Sequence, residues 1–311
     1  MKTITVLLGG NSEEREISLI SGREISSALK DMGYSVVELD LRDYPNPTEL
    51  LSAITASGAD MTFNALHGGD GENGKLAAVL QMADIGFTGS RFKSSCLAMD
   101  KYISKLIAKA EGIPCPIDIL LRANLLADYN DPNDLDGIIS KLGLPIIVKP
   151  NDSGSSVGIS IVDKLEDLKS AVEAAFSSCD TVLLEEYIPG RELTVSVVGG
   201  KALPVVEIRP KNGWYDYHNK YTKGNTQYLA PAPIEESLAQ LLQLYAERIF
   251  AALSCKAYAR VDFRVNKSNL YFLELNTLPG MTPLSLTPMA AKAAGMSFED
   301  LLTTIINLSY S

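Results

Sequence analysis

The sequence predicts an α/β protein, α+β overall, whose N-terminal part is a doubly wound parallel sheet. Short apolar runs alternate with helical patterns over residues 1–97, and strands alternating with helices imply a parallel layer. From residue 192 onward the runs sit side by side across tight turns, as in an antiparallel sheet. At 311 residues the chain is long enough for two or three packed layers.

ITVLL (4–8) is a buried first strand ending in a glycine turn, and its apolar core is too short for a secretory signal. Over 15–32, Ile17, Ile20, Ile25, Ala28, Leu29 and Met32 fall near a 3.6-residue period, which predicts a helix. SVVEL (35–39), DMTFNAL (60–66) and IGFTG (85–89) are further strands, and KLAAVLQMA (75–83) is a helix. A helix over 99–110 precedes the proline-punctuated IPCPIDI (113–119), the strand LPIIVKP (144–150), a Gly/Ser turn (151–158) and GISIV (158–162). Helix 164–177 leads to TVLLEEYI (181–188), and ELTVSVVGGKALPVVEI (192–208) folds back at Gly199-Gly200. Residues 209–231 lack periodicity but carry Trp214, Tyr215, Tyr217, Tyr221 and Tyr228. So long a loop in a compact domain is a lid or binding loop. Helix 235–253, a hairpin over 257–280 and a last helix over 287–308 complete the chain.

Charge and composition narrow the chemistry. A net charge of −10 argues against binding nucleic acid, which needs a basic surface. No segment approaches the ~20 apolar residues of a membrane span. The four cysteines form no CxxC pair, which excludes common zinc spacings and a disulfide framework. With only two histidines, the expectation is a cytoplasmic protein whose chemistry uses oxygen ligands.

The hairpin AYARVDFRVNKSNLYFLELNTLPG presents Arg260, Asp262, Glu274 and Asn276. Side chains two apart in a strand share a face. Three oxygen ligands beside a guanidinium suit Mg²⁺ carrying a polyphosphate. The alternative is a solvated face with a surface ion pair. Against it, Val261, Phe263, Phe272 and Leu275 point to covered faces, where unpaired carboxylates are costly.

Other motifs each admit two readings. In KPNDSGSSVGIS (149–160), Ser155, Ser156 and Gly158 either make a flexible hairpin or turn backbone N–H groups onto a phosphate, with Lys149 adding charge. It is not a Walker A loop. In GGNSEERE (9–16), Glu14 either offsets a helix dipole or faces a cleft and binds a substrate ammonium. GGDGENG (68–74) contains GxGxxG, but no acidic partner follows ~20 residues later. Its glycines therefore shape a turn, with His67 presented to the cleft. In LLEEYIPGRELTV (183–195), Glu185, Glu186 and Glu192 either end a solvated strand or bond an adenine amino group and ribose hydroxyls. NTLPGMTPLSL (276–286) puts the Gly280 N–H and Ser285 just beyond the hairpin, where the N–H could face an oxyanion.

Together, GGNSEERE, ALHGGDGENG, MDKYISK, LPIIVKPNDSGSSVGIS, the YDYHNKY loop, RVDFR and ELNTLPGMTPLSL resemble the D-alanine–D-alanine ligase family of the ATP-grasp superfamily. They occur in the expected order over essentially the whole chain. The resemblance implies a three-domain ATP-grasp architecture: an N-terminal substrate domain (1–97), a central subdomain (98–183) and a C-terminal subdomain (184–311) with a lid at 209–231. It implies ATP-dependent joining of two D-alanines for cell-wall precursor synthesis, with two Mg²⁺ or Mn²⁺ ions and a homodimer formed through the N-terminal layer. By the same resemblance Lys101 and Lys149 contact ATP phosphates. Glu185, Glu186, Tyr187, Ile188 and Glu192 surround adenine and ribose, and Asp262, Glu274 and Asn276 hold the metal. Glu14, linked to Ser155 and Tyr221, takes the first ammonium, and Lys220 with Tyr221 belongs to the lid. Arg260 and the Gly280 N–H form the oxyanion site, and Ser285 with Leu286 the second-substrate pocket. Relatives often have smaller or more polar residues where this chain has Pro283-Leu284-Ser285, while tyrosine at 221 favours the dipeptide product.

Overall fold

The computed structural model describes residues 2–123, 132–154, 158–211, 224–267 and 269–310. Three sheets organise it. The first is parallel, with β1 (Thr3–Leu8) between β2 (Ser35–Asp40) and β3 (Met61–Asn64). A central strand is covered on both faces, and Ile4 to Leu8 are all buried. Helix α1 (Arg15–Asp31) lies over it through Ile25, Ala28 and Leu29. Gly22 permits that approach, since a Cβ there would stand 2.6 Å from the Leu8 Cβ. The strand expected at 85–89 reduces to one parallel bridge, Thr62 with Phe87. There the Thr88 hydroxyl, not its backbone, takes the Asn64 N–H at 3.0 Å and the ladder stops.

The second sheet is antiparallel, in the order β4 (Asp118–Arg122), β7 (Thr181–Glu186), β5 (Ile146–Pro150), β6 (Ser160–Val162). Helix α8 (Leu165–Phe176) closes its core against Val148, Val182 and Leu184. The third has the order β11 (Thr226–Leu229), β10 (Val206–Pro210), β8 (Arg191–Val198), β12 (Tyr258–Asn266), β13 (Asn269–Asn276), with β9 (Lys201–Ala202) on β8. Helix α9 (Glu236–Ala252) buries Leu242, Ala246 and Ile249 against this sheet. Helix α6 (Lys101–Ala110) also packs here: Ala98, Ala108 and Ile113 share one apolar cluster with Leu193, Val261 and Phe272. Residues expected with the central unit thus lie on the third sheet's core.

Two expectations need correction. The ends of the expected 209–231 loop are paired strands, Glu207 to Pro210 against Thr226 to Leu229, while Trp214, Tyr215, Tyr217, Lys220 and Tyr221 lie outside the described residues. The last helix is two, α10 (Leu286–Ala293) and α11 (Phe298–Tyr310). Gly295 at φ +80° ends the first, and Asp300 caps the second by accepting from the Ser297 N–H at 3.1 Å. Leu301 and Ile305 join Ile4, Leu29 and Tyr258 in one core, so the C-terminal helices fasten the third sheet to the first. Among the described residues no helix is long and apolar enough to cross a membrane.

Candidate active site

A cleft opens between the second and third sheets. Ile147, Lys149, Ile159, Ile161 and the run from Glu185 to Ile188 line one wall, and Glu192, Asp262, Arg264, Leu273 and Glu274 the other. An apolar slot ending in charge suits a flat base attached to an anion.

At its charged end, β12 and β13 pair Asp262 with Glu274 and Arg260 with Asn276, and a bulge follows Asp262. Side chains of directly paired residues share a face, so all four stand together as the spacing predicts. Asp262 is only 7% exposed. It accepts from Arg260 Nε at 2.9 Å, Arg260 Nη2 at 2.8 Å and Thr194 Oγ1 at 2.5 Å. Glu274 lies 3.4 Å from Lys101 Nζ, and Asn276 Oδ1 accepts the Leu278 N–H at 3.1 Å. Among the described residues no three His, Cys, Asp or Glu side chains converge. Two carboxylates and an amide nevertheless fit a hard cation that takes its remaining ligands from water and phosphate. Arg260 and Lys101 are the cations that stand on these carboxylates here.

Further in, Glu185 sits between two lysines: Lys149 Nζ is 2.7 Å from Oε2 and Lys105 Nζ 2.8 Å from Oε1. Burial alone would raise the Glu185 carboxyl, but the two ammoniums outweigh it and hold it below its ordinary range. Burial lowers Lys149, with Glu185 opposing. Lys101 Nζ donates to the Ser153 carbonyl at 2.5 Å, which leads into the Gly/Ser turn. Ser155 and Ser156 themselves lie outside the described residues. Glu186 Oε1 accepts the Ile117 N–H at 2.9 Å, and Glu192 pairs with Arg264 at 3.6 Å. Tyr187 and Ile188 continue the same wall.

A second cavity, walled by Gly9, Gly10, Ser12, His67, Gly68 and Gly69, opens where β1 and β3 end, the edge at which α/β sheets bind ligands. Glu14 holds the N-cap position of α1 but makes no side-chain capping bond. Its carboxylate is packed against Gly68 and Gly154, where a Cβ would stand 2.8 and 3.2 Å from Oε2. That placement favours a ligand role over service to the helix end. His67 borders the cavity but is itself buried, between Leu278 O (3.0 Å to Nδ1) and Ser21 Oγ (2.9 Å to Nε2). A carbonyl can only accept, so the proton is assigned to Nδ1. Burial lowers the ring's pKa, with Glu14 acting against it. Ser285 Oγ, expected to face the second substrate, accepts the Thr282 N–H at 3.1 Å and bonds Thr282 Oγ1 at 2.8 Å. It lies where a Cβ on Gly280 would meet it at 2.9 Å, so the turn holds Gly280 as glycine. Leu286 is buried at the start of α10.

Sequence reasoning missed Lys105 and Glu72. Lys105 lies four residues after Lys101, on the same helix face. Glu72 was absorbed into the glycine turn. Its carboxyl is buried, accepts the Gly68 N–H at 3.1 Å and the Leu278 N–H at 3.4 Å, and is pushed up to about 7 by burial and then by Glu14. The folded form therefore holds a proton that the unfolded chain releases near pH 4.5, and stability falls as pH rises through that window. Glu72→Gln carries no charge at any pH. Its thermal stability relative to the parent should improve from pH 5 to pH 8, by on the order of 3 kcal/mol. A difference that does not change with pH would rule out this titration.

Known proteins resemble this chain in sequence and in fold. Residues 107–307 match the family model described as D-ala D-ala ligase C-terminus. A D-alanine–D-alanine ligase from Syntrophotalea carbinolica is 43% identical over 310 residues, 98% of this chain and 95% of the relative. The crystal structure of the Bacillus anthracis D-alanine–D-alanine ligase complexed with ATP superposes with a TM-score of 0.83 at 33% identity, covering 100% of this chain and 97% of that one. The VanG D-Ala:D-Ser ligase of Enterococcus faecalis superposes at 0.84 with 29% identity, each chain covered to 99%. With an ATP-grasp fold, a charged cleft and relatives matched over nearly their whole length, the chain belongs to the D-alanine–D-alanine ligase family.

Proposed function

We infer that this chain uses ATP to join two D-alanines into D-alanyl-D-alanine, releasing ADP and phosphate. The observation that carries the reading is the single cleft in which Lys149 and Glu185 face Asp262 and Glu274. A metal-bound polyphosphate fits one end and a base the other. The relatives' named activity supplies the substrates.

The roles follow from charge and position. Ile147, Ile159, Ile161 and Leu273 give the base an apolar slot, with Glu185 and the strand after it reading its edge. Lys101 and Lys149 exchange their carboxylate partners for phosphate oxygens. Asp262, Glu274 and Asn276 would hold Mg²⁺ or Mn²⁺, which would supply positive charge beside the transferring phosphoryl group. Glu14 takes the ammonium of the first D-alanine, so its carboxylate is aimed to attack the γ-phosphate. The product is an acyl phosphate, with ADP leaving. The second amine then attacks the acyl carbon and expels phosphate. Arg260 and the Gly280 N–H stabilise the oxyanion that forms, a role for pre-placed donors. Ser285 and Leu286 shape the second-substrate pocket, with Ser285 acting through the turn it closes. His67 fixes the segment after Leu278. Ser155, Ser156, Lys220 and Tyr221 belong to this reading as phosphate-loop and lid groups, the lid excluding water from a readily hydrolysed acyl phosphate. The same reading divides the chain at 97 and 183 and makes it a cytoplasmic homodimer for cell-wall precursor synthesis.

D-Alanine should stimulate phosphate release from ATP in the presence of Mg²⁺, and mass spectrometry should show the dipeptide. No stimulation by D-alanine or any other amino acid would defeat the reading. A D-serine acceptor is the second reading, favoured by the fit to the D-Ala:D-Ser ligase and by Leu284, which stands 78% exposed beside Ser285. Products formed from a mixed pool of D-amino and D-hydroxy acids separate the two.

A further inference from the structure

Lys105 lies behind the cleft and does not line it. It projects from α6 with no exposed surface, and its Nζ stands 2.8 Å from Glu185 Oε1 and donates to the Phe272 carbonyl at 3.2 Å. Lys149, on the other carboxylate oxygen, does line the cleft. The two contacts differ in place: one ammonium reaches Glu185 from the cleft and one from behind it. A carboxylate has about four lone-pair sites, so two ammoniums leave acceptor capacity for a ligand's donor.

We propose that Lys105 is the positioning residue for nucleobase selectivity: it keeps Glu185 an anion that accepts from the 6-amino group of adenine and turns away the 6-oxo group of hypoxanthine or guanine. This rests on the reading that Glu185 faces the base. The need for a second lysine follows from the nucleotide. A triphosphate competes for the Lys149 ammonium, and once that is drawn away Lys105 is the cation left on Glu185. A buried carboxylate without a cation takes up a proton, because burial disfavours the charged form. The neutral acid carries a donor as well as an acceptor, and could bond a 6-oxo base almost as well as a 6-amino one. The groups facing Glu185 are Lys105 from α6, Lys149 from β5 and Cys115 from the segment before β4, with Lys101 and Glu274 acting on Lys149. Burial pushes the Cys115 thiol up to about 11, so it stays neutral and supplies no charge.

The test is the ratio of kcat/KM for ATP to that for inosine triphosphate, measured on the full enzyme with Mg²⁺ and saturating D-alanine. A site built around one hydrogen bond discriminates strongly against the analogue lacking it. Lys105→Met should lower the ratio at least ~10-fold, chiefly by admitting the inosine nucleotide. Lys105→Gln keeps a donor for the Phe272 carbonyl and is read the same way if the Met variant does not fold. If either variant folds and loses both activities in equal proportion, Lys105 is merely structural and the proposal is overturned. Glu185→Gln separates the levels, because its amide can turn either a donor or an acceptor to the base. A lowered ratio there with an unchanged one in the Lys105 variants refutes the proposal alone. An unchanged ratio in Glu185→Gln shows that Glu185 does not read the base, and both fall.

Discussion

Arg260→Ala should lower turnover at saturating substrates by at least ~10², the scale for losing one oxyanion donor. Arg260 is tied bidentately to Asp262 and its charge reaches both His67 and Glu72. It therefore stands between the metal-type carboxylates and the glycine-walled cavity. Two consequences of the same deletion can be told apart. Asp262 keeps Thr194 but loses the Arg260 guanidinium, which should cost about 1–3 kcal/mol in thermal unfolding. A folded variant with kcat within threefold of the parent would reduce Arg260 to a partner of Asp262 and remove it from the chemistry.

The double change Asp262→Asn with Glu274→Gln should abolish the tightening of ATP binding by Mg²⁺, seen as calorimetric titrations that no longer differ with and without chelator. Outer-sphere partners of a metal are already worth ~10–100-fold, so losing two direct carboxylates should weaken the metal-dependent component by at least ~10². Both substitutions keep shape and remove charge, and Lys101 and Arg260 each lose an anionic partner. Binding of ATP without metal should consequently persist. If the Mg²⁺ effect is unaltered, the cation is held elsewhere.

The parts of the site that follow a short-range rule were legible in the sequence. Arg260 and Asp262 stand two apart on one strand, as do Glu274 and Asn276 on the next, and alternation alone puts each pair on one face. Glu185 and Glu192 end and begin strands, which the apolar runs around them delimit. What stayed hidden depends on contacts between distant elements. On α6 the apolar residues Ile103, Leu106 and Ile107 suggest one buried face, yet the buried positions are Lys101, Ser104, Lys105 and Ala108. Hydrophobic period points to the wrong stripe there because the helix buries two ammoniums, made tolerable by Glu274 and Glu185 on other strands. Glu72 was obscured likewise, since its partners include Leu278, 206 residues away. The single last helix failed for a local reason: Gly295 interrupts an apolar pattern strong enough to read through it.

The imidazole of His67 spans from Ser21 on the first helix to the carbonyl of Leu278, two residues ahead of Gly280. That bridge ties the first sheet, whose α1 begins beside Glu14, to the segment leading from β13 to Gly280. On the proposed roles of Glu14 and Gly280, the tie fixes the span offered to the first substrate. A β-amino acid, longer by one methylene, should therefore be a poor replacement for D-alanine in the phosphate-release assay.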